Sequence, residues 1–177
     1  MTLICIDPGH GGEQPGAVYG GCQEKDATLQ IAVKLARNLR GVGHGVIMTR
    51  DNDATVSLRE RCDLSNASGA DAFVSIHLNA ATARAANGAE TWKWPGNESG
   101  LAESVQTELV AAIGAKDRGV KTTSTFYVLK HTRATALVVE CGFMSNNKER
   151  AKLFDDAYQE KIAAGIARGF LKVYNYL

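Results

Sequence analysis

Short apolar runs separated by amphipathic stretches dominate the pattern along the chain. Leu3-Ile4-Cys5-Ile6, Val46-Ile47-Met48, Ala72–Ile76 and Leu137–Val139 carry no alternating polar face, so they read as strands buried on both sides. Ala89–Trp94, ended by Pro95-Gly96, and Phe126–Leu129 read as two more. Residues 24–40 place Leu29, Ala32, Leu35, Ala36 and Leu39 at helical spacing and stop at Gly41 and Gly43. Ser57 with Glu60 has the capping-box pattern and opens a helix to about Asn66. Ser99 stands where it can cap a helix carrying Leu101, Val105, Leu109 and Ile113. Over 155–173, Ile162, Ile166 and Phe170 recur every fourth residue as a core stripe. The expectation is one three-layer α/β domain over residues 1–177. About six mostly parallel strands carry about five helices on both faces.

Composition narrows the function classes. A chain of 177 residues can bury one substantial core, and 45% hydrophobic with 22% charged residues is ordinary for a globular domain. A net charge of +1 gives no reason to expect nucleic acid or a membrane surface as partner, and no apolar stretch approaches a bilayer span. Met1-Thr2 leads straight into the first strand without a basic region, a long apolar region or a cleavage site. Synthesis in the cytoplasm without a signal peptide is therefore expected. Cys5, Cys22, Cys62 and Cys141 form no C-x-x-C pair and read as reduced thiols. A monomer is the default.

Candidate chemistry gathers where apolar runs stop. The first run leads into Asp7-Pro8-Gly9-His10, the third ends at His77, and Ala136–Val139 ends at Glu140. Imidazoles and carboxylates at strand ends build a poor core, but open α/β sheets bind ligands outside the carboxyl ends of their strands. A hydrolytic zinc site commonly uses two His and one carboxylate, with an open position for water. His10 and His77 supply the imidazoles. For the third ligand, Asp7, Glu13, Glu24 and Asp26 all lie near the first His, and spacing ranks Glu24 first by a narrow margin. Each alone has a plainer reading: a strand-end His as a hydrogen-bonding residue, Glu24 as a helix N-terminal carboxylate, Glu140 as an ion-pair partner. His44, in a glycine-rich turn, and His131, in a polar loop, are expected in solvent.

At these residues the chain resembles a known family. Asp7-Pro8-Gly9-His10-Gly11-Gly12, Glu24-Lys25-Asp26, Ser75-Ile76-His77-Leu78-Asn79-Ala80 and Val139–Asn146 resemble, in order, the motifs of zinc-dependent N-acetylmuramoyl-L-alanine amidases of the amidase 3 type. Ser57-Leu58 with Arg61 and Asn66, Gly88–Thr91, Arg118–Lys121 and Phe126–Leu129 add to the match. Thr135, Leu78 and Gln14 depart from residues common in the family. The resemblance implies a single catalytic domain with one zinc ion on His10, Glu24 and His77, and Glu140 as catalytic carboxylate. It implies hydrolysis of the amide between N-acetylmuramic acid and L-alanine in bacterial peptidoglycan. Asn79, Glu90, Arg118, Lys121, Thr125 and Asn146 are candidates to line the substrate groove.

The absent export signal favours a phage endolysin whose wall-binding module lies outside this chain. A bacterial autolysin or sporulation amidase shares the reaction. A non-catalytic peptidoglycan-binding module is the alternative from another class. By chemistry alone a His₂Glu zinc peptidase cutting within the stem peptide also fits.

Overall fold

A computed structural model describes residues 1–97 and 100–174. The elements run β1 (Leu3–Pro8), β2 (Val18–Tyr19), β3 (Cys22–Gln23), α1 (Glu24–Gly41), β4 (Gly45–Met48), α2 (Leu58–Ser68) and β5 (Ala72–Asn79). They continue with β6 (Ala89–Lys93), α3 (Leu101–Ile113), β7 (Asp117–Thr122), α4 (Tyr127–His131), β8 (Thr135–Phe143), α5 (Asn147–Leu153) and α6 (Asp156–Tyr174). Six strands form one sheet in the order β4-β1-β5-β8-β6-β7, and β2 and β3 pair as a small antiparallel ribbon. All pairings in the main sheet are parallel except β6 with β8. The two strands β6 and β7 therefore run against the other four. Their N-terminal ends lie at the edge where β1, β5 and β8 have their C-terminal ends.

Alternation along the strands divides the core. Ile4, Ile6, Val74, Ile76, Leu137 and Val139 face the layer made by α1, α3 and α6. Cys5, Phe73, Ala136 and Val138 face α2 and α4, where they meet Cys62, Val128 and Leu129. Both faces being covered is why these strands read as unbroken apolar runs. The architecture is thus the expected α/β domain, with helices on both faces of a six-stranded, mostly parallel sheet.

Local differences have physical reasons. Residues 126–129 do not form a strand: α4 covers Tyr127–His131 and turns Val128 and Leu129 into the second core. A short apolar run has no period that separates a buried strand from a buried helical turn. The sixth strand is β7, whose polar sequence Asp-Arg-Gly-Val-Lys-Thr suits an edge strand blunted by charge. His77 and Glu140 do not end their strands, because Leu78, Cys141 and Phe143 beyond them are buried and extend both elements. The capping box on α2 is present, with Ser57 and Glu60 bonding reciprocally. Ser99 lies outside the described residues, and α3 begins after Gly100. His44 is buried where exposure was expected, whereas His131 is exposed. All four cysteines are free thiols. Among the described residues no helix is long and apolar enough to cross a membrane.

Close approach of α6 to α3 rests on two glycines. A β-carbon on Gly169 would meet the backbone of Val105, and one on Gly165 would meet Leu109 Cα and Glu108 O at 2.9 Å. Alanine is favoured over glycine inside a helix by about 1 kcal/mol, but here the clash is with backbone and forces the helices apart. Overpacking of this kind costs about 1–3 kcal/mol. Gly169→Ala is expected to lower the urea midpoint at unchanged m-value; a raised midpoint would show that α3 and α6 can separate freely.

Candidate metal centre

His10, Glu24 and His77 come from the loop after β1, the first residue of α1, and β5, and their ligand atoms lie within 4.8 Å of one another. Glu24 is the hub. Its Oε2 is 3.1 Å from His10 Nε2, and its Oε1 is 3.1 Å from His77 Nδ1. Each carboxylate oxygen also accepts a backbone N–H at 2.9 Å, Oε2 from Ala17 and Oε1 from Leu78. The other carboxylates near the first His are elsewhere: Glu13 and Asp26 are exposed, and Asp7 is buried in an ion pair.

The turn that presents His10 is held from beneath. His10 has φ of 62°, a left-handed conformation that non-glycine residues seldom adopt unless their surroundings impose it. Arg61, 2% exposed, donates to Asp7 Oδ1 at 2.6 Å, to Pro8 O at 2.8 Å and to His10 O at 2.8 Å. Asp7 in turn accepts the hydroxyls of Thr49 and Ser75 at 2.6 Å each. Arg50 donates to Pro8 O, Gly9 O and Lys25 O, and Thr28 adds its hydroxyl to Gly9 O. Between them the arginines satisfy the carbonyls of Pro8, Gly9 and His10, which the tight turn after β1 leaves without backbone partners among the described residues. Close packing completes the arrangement: a β-carbon at Gly9 would collide with the His77 ring, and one at Gly16 would lie 2.6 Å from Glu24 Oε2 and His10 Cδ2.

Electrostatics favour a cation between the rings. Burial by itself would raise the Glu24 carboxyl, but hydrogen bonds from His10 and His77 hold it well below the usual carboxylate range. Burial pushes the His77 ring down, yet Glu24 and Glu140 outweigh it and its pKa is raised. The donor set fits zinc by type, and its ligand atoms all lie within 4.8 Å of one another. Bonds of about 2.0–2.2 Å set two tetrahedral ligand atoms roughly 3.3–3.6 Å apart. The 3.1 Å separations lie within a few tenths of that.

Glu140 sits one strand over. It pairs in register with His77 across β5 and β8, so both side chains leave the same face of the sheet. Burial pushes its carboxyl up to about 7. Its Oε2 is buried with no hydrogen-bond partner among the described residues. Orphaned carboxylate oxygens are costly in a purely structural role. Glu140 and the three donors line one cleft of about 480 Å³, with Asn79 and Thr125 beside them and Leu58, Phe126, Tyr127, Val128 and Val138 as an apolar wall.

The remaining groove candidates divide. Glu90 is 2% exposed and is a buried anchor, not a groove surface. It accepts from Asn79 and Trp92 on Oε1 and from Arg118 and Lys121 on Oε2. Asn146 lies outside the cleft: it caps α5 with its Oδ1 and donates from Nδ2 to Ala86 O. His131 stacks on Tyr127 with ring centroids 3.9 Å apart, behind the wall of the cleft. Arg50, Thr28, Thr49 and the Ala17 N–H gave no signal in the sequence, since each is an ordinary residue whose partner is a distant carbonyl or carboxylate.

Comparison with known proteins agrees with this geometry. Residues 4–172 match the Amidase_3 family, described as N-acetylmuramoyl-L-alanine amidase. N-acetylmuramoyl-L-alanine amidase LytC of Bacillus subtilis is 38% identical over 175 residues, covering 97% of this chain and 35% of its own length. The endolysin of Bacillus phage SPP1 is 32% identical over 182 residues, covering 98% of this chain and 66% of its own length. The chain therefore spans about a third of the one relative and just under two thirds of the other. The catalytic domain of CwlV, an N-acetylmuramoyl-L-alanine amidase from Bacillus (Paenibacillus) polymyxa var. colistinus, superposes with a TM-score of 0.95 at 33% identity and 99% coverage of both chains.

Removing one partner of a buried ion pair leaves the other uncompensated, which costs about 3–5 kcal/mol. Arg61→Met is expected to lower unfolding free energy by that order, and adding Asp7→Asn is expected to recover part of the loss. Additive losses in the double variant, read from urea unfolding, would mean that the two residues act independently.

Proposed function

Because the chain belongs to the N-acetylmuramoyl-L-alanine amidase family, we propose that it hydrolyses the amide joining the lactyl group of N-acetylmuramic acid to the first L-alanine of the peptidoglycan stem peptide. The observation that carries this reading is the Glu140 Oε2, buried without a hydrogen-bond partner among the described residues, one strand from the His10–Glu24–His77 donors. One zinc ion, held by those three residues, would polarise the scissile carbonyl and make a water molecule more acidic.

The chain's own groups then account for the proton movements. Glu140 accepts a proton from the attacking water as the new C–O bond forms, and passes it to the alanine nitrogen as the C–N bond breaks. Burial raises the Glu140 carboxyl above the usual carboxylate range, which suits it to both steps better than an exposed carboxylate. Glu24, kept ionised by the two rings and two backbone N–H groups, stays a ligand and does not compete for that proton. The apolar wall limits water in the cleft, and Asn79 adds a polar group to its lining. Two settings share this chemistry. Similarity to the SPP1 endolysin supports lysis by a phage enzyme, and similarity to LytC supports wall turnover by a bacterial one.

Purified cell walls treated with the protein are expected to yield new amino termini that are alanine alone, with no new reducing ends. A chelator should abolish the release and added zinc restore it. Other new amino termini would instead indicate a peptidase cutting within the stem. Glu140→Gln is expected to retain stoichiometric zinc while kcat falls by about 10²–10⁴-fold, the usual worth of a positioned acid–base group. His77→Ala should lose metal and activity together. Since Glu140 works as the carboxylate, kcat/KM should rise with pH through its pKa, which a bound cation draws below about 7. An acid limb that persisted unchanged in Glu140→Gln would assign it to another group.

A further inference from the structure

Beyond Glu140 the same row of the sheet continues into charges that hydrolysis does not use. Glu90 of β6 lies directly opposite Glu140 in the antiparallel pairing, so its side chain leaves the same face. Arg118 at the start of β7 places Nε 2.6 Å from Glu90 Oε2, and Lys121 Nζ reaches the same oxygen at 2.6 Å. The row across the sheet edge thus reads His10, His77, Glu140, Glu90, Arg118, on β1 or its following loop, β5, β8, β6 and β7.

Glu90 has more cation than it needs. One carboxylate is matched by one positive charge, and here two converge on a single oxygen while Asn79 and Trp92 occupy the other. Glu90, Arg118 and Lys121 by themselves carry a net charge of +1, before the neighbouring Glu140, which also feels Lys121, is counted. Arg118 Nη2 and two of the three Lys121 N–H bonds have no acceptor among the described residues, and these side chains remain 29% and 33% exposed. The guanidinium also lies over the Phe143 ring at 4.9 Å, which fixes its plane. Asn79 connects this cluster to the cleft, since it lines the cleft and donates to Glu90 at 3.0 Å.

We infer that Arg118, braced on Glu90 together with Lys121, forms a subsite for a free carboxylate on the second residue of the stem peptide, such as the α-carboxylate of a γ-linked glutamate. This rests on the amidase reading, which sets the direction of the chain. The acyl side of the scissile bond faces the His10–Glu24–His77 donors and the leaving nitrogen faces Glu140, so the stem peptide departs over β6 towards β7. Two strand spacings separate β8 from β7, about 10 Å. Two extended residues span about 7 Å, and the arginine side chain covers the rest. A carboxylate there meets a planar fork with donors to spare, which is the geometry arginine offers to carboxylates.

Two muramoyl peptides that differ only at the second residue, one with a free α-carboxylate and one with a primary carboxamide, test this. The wild-type protein is expected to favour the carboxylate about tenfold in kcat/KM, chiefly through KM. It should show the same preference in the Kd of the two released peptides by calorimetry. Arg118→Gln should abolish the preference, and Arg118→Lys should keep part of it. Equal handling of the two substrates by the wild-type protein overturns the subsite and leaves the amidase reading standing. Equal losses on both substrates in Arg118→Gln also overturn it, since Arg118 would then only neutralise Glu90. A carboxylate preference in peptide Kd with no cleavage of either substrate keeps the subsite and overturns the amidase reading.

Discussion

A carboxylate shared between two imidazoles is what the surrounding structure is organised to hold. Glu24 bonds His10 and His77 at 3.1 Å each and takes one backbone N–H on each oxygen. Four groups, two from the loop after β1 and two from β5, converge on one side chain at the start of α1. Such convergence needs each segment fixed in advance, because a charge that is buried and only partly satisfied destabilises the fold. The buried arginines meet that need. Arg61 and Arg50 bind the carbonyls of the turn between β1 and His10, and Asp7 neutralises Arg61 while tying in Thr49 and Ser75. The left-handed backbone at His10 persists because it is tied on both sides.

The sheet converts this local order into a directional site. Parallel pairing of β1, β5 and β8 brings His10, His77 and Glu140 to one edge, and reversal at β6 and β7 adds Glu90 and Arg118 to the same edge by their N-terminal ends. Charge therefore changes sign along the row, from the acidic hub at Glu24 through Glu140 to the guanidinium of Arg118. An apolar wall from α2 and α4 closes one side. On the proposed function, that asymmetry would give an extended substrate one productive direction, with Glu140 as a base beside the donor set.

Much of this was legible in the amino-acid sequence because buried parallel strands leave an unbroken apolar signature. His10, His77 and Glu140 interrupt that signature. Glu24 was less legible: a glutamate at a helix start serves the helix equally well, and family resemblance, not spacing, singled it out. Where the reading failed, the competing physics is identifiable. Residues 126–129 have strand-like composition, but tertiary packing of Val128 and Leu129 makes them a helical turn. Strand β7 is polar because it is an edge, so it carries no apolar signal. Asn146 reads as a groove residue in the sequence, and the structure uses it as the cap of α5. Arg50 and Thr28 act through carbonyls far away in sequence, and long-range pairing of that kind leaves no local trace.

The central claim is that His10, Glu24 and His77 hold a single zinc ion while Glu140 stays off it. Anomalous diffraction at the zinc absorption edge from crystals grown with the metal tests this directly. The account predicts one strong peak bounded by His10 Nε2, the Glu24 carboxylate and His77 Nδ1, with Glu140 outside bonding distance. A peak elsewhere in the molecule, or Glu140 in the coordination sphere, would contradict it.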